Sequence, residues 1–285
     1  MQIFKILSIL IHEHFSAPLV KRQPEPTALM DDEAQVAAFH AQGLTALIPV
    51  YYFNALATSR RVPKNGTVVD LGSGSGQYLA FLAQCRPDIR IIGIELAPRM
   101  VETGRRLLAE RACRDRVELR VGDMTTFAET IDNGVDLVSS VFSLHHLPDL
   151  AHLSQCLTQI QLLRQRTGCG LWVFDHVRPK HPSTPHAFTQ AFTPDAPPAF
   201  NRDSANSLVA AFSFAEFDGE LALARLTGCE HWQSRWMNLY QVIALDGSQP
   251  AQSRSELWRN PNLDGKAAKD WRGLHALFPV CPAQP

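Results

Sequence analysis

The 285-residue sequence predicts an α/β fold with an open, doubly wound and mostly parallel sheet. Three observations support this prediction. Short β-branched segments alternate with helical segments between residues 67 and 175, which is the pattern of parallel strands joined by crossover helices. The first strand leads directly into glycines at every second position, Gly72, Gly74 and Gly76. Acidic residues then follow the ends of later strands, where ligands of such sheets bind.

The first half of the sheet can be assigned from its turns and helix starts. The β-branched residues at 67–69 precede the glycines, and helical residues at about 77–85 follow them. The turn RPD then leads to a second strand at 91–95. Pro98 stands at a natural first position of a helix that we predict to end near residue 111. Residues 117–121 form the third predicted strand.

The second half of the sheet is less regular. A fourth strand at 135–141 and a fifth at 170–175 flank a long helix at about 150–166. Six prolines between residues 176 and 202 then predict a long irregular loop. Helical character returns at 204–226, and residues 236–245 read as a last strand.

The residues before the sheet are predicted to form helices. Apolar residues between positions 3 and 11 indicate an amphipathic first helix, and the prolines of KRQPEP at 21–26 interrupt the chain after it. Asp31 or Asp32 can cap a second helix, and residues 44–57 form a third, apolar one. We therefore predict an N-terminal helical cap.

Composition and charge exclude several classes of protein. Hydrophobic residues make up 45% of the chain and charged residues 19%, which are ordinary globular values. The formal net charge of −1 gives no overall attraction to nucleic acid or to anionic membranes. The six cysteines contain no C-x-x-C pair, so we expect no disulfide framework and no zinc site, and a reducing cytoplasmic location. The apolar N-terminal segment is too short to span a membrane.

The spacing around the glycine turn indicates what kind of ligand it holds. A dinucleotide loop has the pattern G-x-G-x-x-G, whereas TVVDLGSGSGQ at 67–77 has G-x-G-x-G preceded by Asp70. A carboxylate at that position would repel a pyrophosphate. It suits a ligand that carries an ammonium or a sulfonium group.

TVVDLGSGSGQ resembles motif I of the class I S-adenosylmethionine (SAM)-dependent methyltransferases, and three further segments agree with that family in order and spacing. They are ELAPRM at 95–100, VGDM at 121–124, and the segment 136–149, which ends in LHHLPD. Each motif alone is a loose pattern, but four in register at successive strand ends are specific. The resemblance covers about residues 67–175 and implies a seven-stranded sheet, with SAM as the cofactor and S-adenosylhomocysteine (SAH) as a product.

The resemblance also implies a domain organisation. We expect a helical cap at 1–60, a SAM-binding domain at 61–248 and a C-terminal tail at 249–285. Within the SAM-binding domain, the segment 176–230 would form part of the acceptor pocket or a lid over it.

A cofactor site at the strand ends is implied by the same resemblance. Glu95 would bind the ribose hydroxyls, Asp123 the adenine amino group, and Asp70 the methionine ammonium. Asp123 has a structural alternative, since it can cap the helix that follows it. The glycines would let the backbone approach the cofactor, and the helix N-terminus after them favours the methionine carboxylate. The predicted cofactor-binding residues are Asp70, Gly72, Ser73, Gly74, Gly76, Glu95, Leu96, Asp123, Met124, Val141, Phe142 and His145.

The acceptor side carries three candidate catalytic residues, His146, Asp175 and His176. They follow the fourth strand or end the fifth, and a histidine can accept a proton near neutral pH. For each of them, structural packing is the alternative interpretation. We expect no metal site, because His12 and His14 do not share a helix face. No cluster of Asp and Asn marks the chain as a metal-dependent catechol methyltransferase.

We therefore predict methyl transfer from SAM to a small-molecule acceptor by nucleophilic displacement. SSVF at 139–142 replaces the Asn-Pro-Pro-Tyr type of tetrapeptide found in amino-methylating DNA and protein enzymes, which favours a small acceptor. One alternative is a SAM-binding regulatory or scaffold protein without catalysis. The other is an NAD(P)-dependent oxidoreductase, against which Asp70 and the missing G-x-G-x-x-G argue. We expect no nucleic-acid partner and no membrane span, and we expect a homodimer through the first helix.

Overall fold

A seven-stranded sheet forms the centre of the described part of the chain. The computed structural model describes residues 2–16, 20–26, 31–43, 45–111, 113–132, 134–249 and 263–278. The strands are β1 (Thr67–Leu71), β2 (Arg90–Glu95), β3 (Val117–Val121), β4 (Leu137–Val141), β5 (Gly170–His176), β6 (Glu230–Gln233) and β7 (Tyr240–Leu245). They lie in the order β3-β2-β1-β4-β5-β7-β6.

The strand order confirms the predicted doubly wound, mostly parallel sheet. Strands β1 to β5 pair in parallel, while β7 pairs antiparallel with both β5 and β6. The chain runs outward from β1 to β3 on one side and continues from β4 on the other. Ligands of open α/β sheets bind where this direction reverses. Asp70 lies at that point, opposite Gly93 of β2 and Ser139 of β4.

Helices cover both faces of the sheet, because both faces of its central strands are apolar. Val68 and its neighbour Val69 are both fully buried, and they belong to hydrophobic clusters on opposite faces. The ten helices of the described residues are α1 (Gln2–Phe15), α2 (Glu33–Gly43), α3 (Ile48–Ser59), α4 (Gln77–Cys85), α5 (Pro98–Glu110), α6 (Leu150–Thr167), α7 (Thr184–Phe192), α8 (Pro198–Ala210), α9 (Phe214–Leu223) and α10 (Gly265–Ala276). Side chains of α3, α4 and α5 pack into one cluster, and those of α6 and α9 into the other.

The three N-terminal helices lie in different surroundings. Phe53 of α3 is buried in the core beside Trp172 and Phe174 of β5. Ile9 of α1 packs instead with Phe188 of α7. His40 of α2 reaches the glycine turn, where its Nδ1 lies 3.0 Å from the hydroxyl of Ser75. The N-terminal residues therefore contribute to the core, to an outer helical layer and to the surroundings of the turn.

The segment 176–202 differs from the predicted irregular loop. It contains all of α7 and the beginning of α8. Pro185 lies in the first turn of α7, and Pro198 opens α8. Proline is tolerated there because the first N–H groups of a helix have no intrahelical partner. Prolines that predicted a loop therefore mark two helix starts.

The last part of the sheet also differs from its prediction. The strand expected at 236–245 begins only at Tyr240, because Trp236 and Asn238 adopt positive φ values of 66° and 55° that interrupt an extended chain. The short strand β6 precedes this turn and was not predicted. In the predicted tail, α10 packs against α3, whereas residues 250–262 and 279–285 lie outside the described residues. None of the described helices is long and apolar enough to cross a membrane.

Candidate functional site

A cavity of about 360 Å³ opens at the C-terminal ends of the central strands. A volume of this order suits a small organic ligand. Its wall contains most of the residues predicted to bind the cofactor, together with one predicted catalytic residue. These are Asp70, Gly72, Ser73, Gly74, Glu95, Leu96, Asp123, Met124, Val141, Phe142 and His146. Four predicted residues do not line it: Gly76, His145, Asp175 and His176.

The glycine turn depends on backbone conformations that favour glycine. Gly72, Gly74 and Gly76 have φ values of 70°, 54° and 69°, in the left-handed region. At Gly72 there is also no room for a side chain, because a Cβ would lie 1.6 Å from the hydroxyl oxygen of Ser143. Gly76 does not line the cavity but forms the N-cap of α4. The turn therefore presents bare backbone to the cavity.

Glu95 is held at the end of β2 by the turn beside it. Its Oε2 accepts a hydrogen bond of 2.8 Å from the backbone N–H of Gly74, and its Oε1 accepts one of 2.9 Å from Ala97. A carboxylate oxygen has more than one lone pair, so each can accept a further bond from a ligand hydroxyl. Two ordered acceptors suit a pair of adjacent hydroxyl groups.

Asp70 is a buried acidic residue in the cavity wall. Its side chain is almost completely buried, and its Oδ1 accepts a hydrogen bond of 2.6 Å from the hydroxyl of Ser139. Burial, with a smaller contribution from the negative charge of Glu95, raises the pKa of Asp70 to about 7 against the opposing effect of that hydrogen bond. A buried carboxylate is stabilised by a cationic partner. Asp70 is therefore chemically suited to a cationic group of a ligand.

Asp123 both closes a turn and lines the cavity. Its Oδ1 accepts hydrogen bonds of 2.8 Å from the backbone N–H and from the hydroxyl of Thr125. These bonds fix the chain after β3 in a compact turn. Met124 is held in the cavity wall by the same turn. The capping alternative and the binding interpretation are thus compatible at this position.

His145, Asp175 and His176 form a buried network behind the cavity. Asp175 accepts hydrogen bonds from the ring Nδ1 of His145 at 2.6 Å, from its backbone N–H at 3.0 Å, and from the backbone N–H of His176 at 2.7 Å. Burial alone would raise the pKa of Asp175, but the attraction of His145 and these bonds hold it below its ordinary value. Asp175 therefore positions the turn after β4.

His176 packs against the cavity without lining it. Its ring stacks on Phe142, which does line the cavity, at 4.4 Å between ring centroids. Burial, with a smaller contribution from the neighbouring His145, lowers the pKa of His176 to about 3, so the ring is neutral at neutral pH. The φ of Phe142 is 54°, a conformation rare for a bulky residue. The stacked pair holds this strained residue at the cavity.

His146 pairs with a residue that the sequence analysis did not identify. Its Nδ1 lies 2.6 Å from Oε2 of Glu25, and the other oxygen of Glu25 accepts a hydrogen bond of 2.7 Å from Ser207. Burial opposes charge on either group, but their pairing lowers the pKa of Glu25 to about 2 and raises that of His146. Glu25 lies 121 positions before His146 between two prolines, and no sequence motif marks it.

Residues 20–26, which we call the strap, bring Glu25 to the cavity. Arg22 anchors the strap by donating hydrogen bonds to the carbonyl oxygens of His145, Leu147 and Pro148, and to that of Ala210 in α8. Its guanidinium also lies 4.0 Å above the ring of Phe212. The wall on this side is completed by residues that were likewise not predicted, Pro26, Leu47, Asp203 and Asn206.

Comparison with known proteins agrees with this geometry. Residues 68–165 match the profile of a family described as "Methyltransferase domain". Release factor glutamine methyltransferase of Mycolicibacterium smegmatis is 34% identical over 86 residues, which are 30% of this chain and 29% of that protein. The chain therefore matches less than a third of the length of this curated relative.

Solved structures resemble a larger part of the chain. A SAM-dependent methyltransferase from Aquifex aeolicus gives a TM-score of 0.52 at 16% identity, covering 74% of this chain and 97% of that one. The plantazolicin methyltransferase BpumL, in complex with a pentazolic desmethylplantazolicin analogue and SAH, gives 0.58 at 9% identity, covering 87% and 100%. At these identities the likeness concerns the fold. The chain therefore contains a segment that matches a methyltransferase domain, and it shares its fold with SAM-dependent methyltransferases of known structure.

Proposed function

We propose that this protein transfers the methyl group of SAM to a small-molecule acceptor and releases SAH. The observation that carries the proposal is the combination of Asp70, the glycine turn and Glu95 in the wall of one cavity. A buried carboxylate suits the ammonium of the cofactor's methionine moiety, and the glycines leave backbone free for its carboxylate. The paired acceptors of Glu95 suit the ribose hydroxyls.

The reaction needs little from the protein beyond binding and alignment. The sulfonium of SAM is already activated, so much of the rate can come from holding acceptor, methyl and sulfur in line in a dry pocket. The acceptor's lone pair forms the new bond to the methyl carbon. The carbon–sulfur bond breaks, and its electron pair remains on the sulfur of SAH.

A small acceptor is favoured over a protein side chain by the end of β4. The hydroxyl of Ser139 donates to Asp70, and that of Ser140 donates to the backbone carbonyl of Leu71 at 3.1 Å. Both serines are buried and engaged inside the protein, so they are not placed to bind an acceptor amide. The strap and α8 line the cavity on the side where we propose that the acceptor binds.

Of the three residues predicted to be catalytic, only His146 lines the cavity. We propose that it adjoins the acceptor. Asp175 and His176 would act indirectly, Asp175 by fixing the turn that carries His145 and His146, and His176 by supporting Phe142. His145 was predicted to bind the cofactor but does not line the cavity, and we propose that it supports the site from behind through its contact with Asp175.

A homodimer through α1 is part of the proposal. Phe4, Leu7, Ile11 and Phe15 recur at helical spacing, and between 46% and 78% of each residue's surface is exposed. Removing four large apolar side chains on one helix face from water is favourable, so such a face is typical of an interaction surface. A second copy of the chain can do so symmetrically. We also propose a cytoplasmic location, which the five free cysteines among the described residues support.

Calorimetric titration with SAM, SAH and NAD tests the proposal. We expect SAM and SAH to bind with micromolar affinity and NAD not to bind. Purified protein incubated with SAM and a panel of phenols, alcohols and amines should then produce SAH only with some of these acceptors. Binding without turnover over the whole panel would favour the regulatory alternative, and failure of a folded protein to bind SAM or SAH would refute the proposal.

A further inference from the structure

Three side chains that commonly bind metals converge where the strap meets the turn after β4. One ligand atom from each of Glu25, His145 and His146 can be chosen so that all three lie within 4.8 Å of one another. Oε1 of Glu25 is 3.9 Å from Nε2 of His145, and its Oε2 is 2.6 Å from Nδ1 of His146. Only 3% of the His145 side chain and 11% of the Glu25 side chain are exposed, whereas 36% of the His146 side chain is exposed toward the open side of the group.

The orientation of His145 is that of a metal ligand. The ring Nδ1 must donate to Asp175, because the ionised carboxylate has only acceptors. In the neutral ring, Nε2 therefore carries the lone pair, on the side of Glu25. Metal-binding histidines characteristically donate their other ring nitrogen to a carboxylate in this way. Asp175 also accepts the backbone N–H of His145, which fixes the residue in place.

The charges of the group match a divalent cation. Glu25 and Asp175 bring two carboxylates into largely buried positions, and the two imidazoles are neutral when they act as ligands. A divalent ion would neutralise both carboxylates together.

We infer that Glu25, His145 and His146 bind a single divalent transition-metal ion, with zinc as the representative. Two imidazoles and one glutamate form a donor set of catalytic zinc sites, which leave a fourth position open. With metal–ligand distances near 2.0–2.2 Å, tetrahedral ligand atoms lie about 3.3 Å apart. The two distances involve different oxygens of Glu25, 3.9 Å from Oε1 to His145 and 2.6 Å from Oε2 to His146, so the carboxylate would turn to place one oxygen opposite both nitrogens. Two nitrogen ligands disfavour Mg²⁺ and Ca²⁺, which prefer oxygen.

A metal ion at this position would favour one class of acceptor, and this step rests on the proposed function. Glu25 and His146 line the cavity, so the open coordination position would face the acceptor. An alcohol or phenol oxygen bound there loses its proton to solvent more readily, because the ion stabilises the oxyanion. That oxygen then displaces SAH from the methyl carbon. The balanced products are a methyl ether, SAH and one proton, which assigns the enzyme to oxygen methylation.

Metal titration of the full chain, with the affinity tag removed and after chelator treatment, tests the site. Calorimetry with Zn²⁺ and visible absorption with Co²⁺ should show one strong site per chain, with no thiolate-to-cobalt absorption and no comparable binding of Mg²⁺. Glu25→Gln keeps the size and hydrogen bonding of the side chain but removes its charge. We expect it to weaken Zn²⁺ binding at least a hundredfold.

His152→Asn is the matched control. His152 forms a similar pair with Asp149, 2.7 Å between Nδ1 and Oδ1, but it lies outside the group. Its substitution should leave Zn²⁺ affinity unchanged. An intact wild type that binds neither Zn²⁺ nor Co²⁺ would overturn the inference, as would equal affinities of the Glu25→Gln and His152→Asn variants. Parallel titration with SAH separates this failure from failure of the proposed function, since the cofactor residues are not changed.

Discussion

Replacing Asp70 by asparagine should stabilise the protein and weaken its cofactor site. The pKa of Asp70 is about 7 in the fold, against an ordinary value of 3.8. Because the folded-state pKa is the higher, the folded protein retains a proton that the unfolded chain releases between about pH 4 and pH 7. The wild type therefore loses stability as the pH rises through this window. At about 1.4 kcal/mol per pH unit, the loss is about 4 kcal/mol.

Asparagine can accept the same hydrogen bond from Ser139 but carries no charge to desolvate. The difference in unfolding free energy between Asp70→Asn and wild type should therefore grow in favour of the variant by about 4 kcal/mol between pH 4 and pH 8. Urea unfolding followed by tryptophan fluorescence at several pH values measures this difference. Asp195→Asn, at an exposed position, controls for the loss of one negative charge.

Cofactor binding should change in the opposite direction. At pH 8 we expect Asp70→Asn to bind SAM about ten- to a hundredfold more weakly, the range for losing a charged hydrogen bond. Wild-type affinity should fall towards tenfold per pH unit below pH 7, while that of the variant stays flat. If the stability difference does not change with pH, or if both proteins bind SAM equally at pH 8, the assignment of Asp70 as the buried ammonium ligand is refuted.

Three further substitutions test other parts of the structure. Gly72→Ala combines a φ of 70° with a Cβ 1.6 Å from Ser143, so it should lower the unfolding free energy by at least about 2 kcal/mol, whereas Gly219→Ala, with open space around its Cβ, should not. Arg22→Gln removes the anchor of the strap; amide exchange of residues 20–26 and the KM for the acceptor should rise while SAH affinity holds, and an equal effect of Lys21→Gln would contradict this role. Phe15→Ser should shift the sedimentation of a dimer to that of a monomer, whereas Leu223→Ser, 72% exposed on α9, should not; a monomeric wild type rules the dimer out.

The side of the cavity formed by the glycine turn and the ends of β2 and β3 was predictable because its signals are local. Each motif consists of a strand, the turn after it and the next helix start, so a few consecutive residues determine its conformation. The φ values of Gly72, Gly74 and Gly76 illustrate this point, since only glycine adopts such values without strain. Parallel strands then bring these turns to the same edge of the sheet without any long-range sequence signal.

The side of the cavity formed by the strap and α8 was not predictable in the same way, because it depends on contacts between distant segments. Glu25 contacts His146 because the strap runs between α1 and α8. The strap is held there by the hydrogen bonds that Arg22 donates to backbone carbonyl groups. The helix α7 and the first residues of α8 were missed for a different reason. Prolines were interpreted as loop residues where Pro185 and Pro198 begin helices. A proline is compatible both with a loop and with the first turn of a helix, so the sequence pattern alone does not distinguish the two.

The turn after β4 links the two halves of the site. Asp175 holds the backbone and ring of His145, and the next residue, His146, reaches the cavity and Glu25. Ser143, at the start of the same turn, fills the space that Gly72 leaves open. A shift of this turn would therefore move the acceptor residues and the glycine turn together. The methyl group and the acceptor must be closely aligned for the reaction. A single turn that contacts both the glycine turn and Glu25 can hold the two ligands in that alignment. Substitution of Asp175 should accordingly impair cofactor binding and acceptor binding together, although Asp175 touches neither ligand.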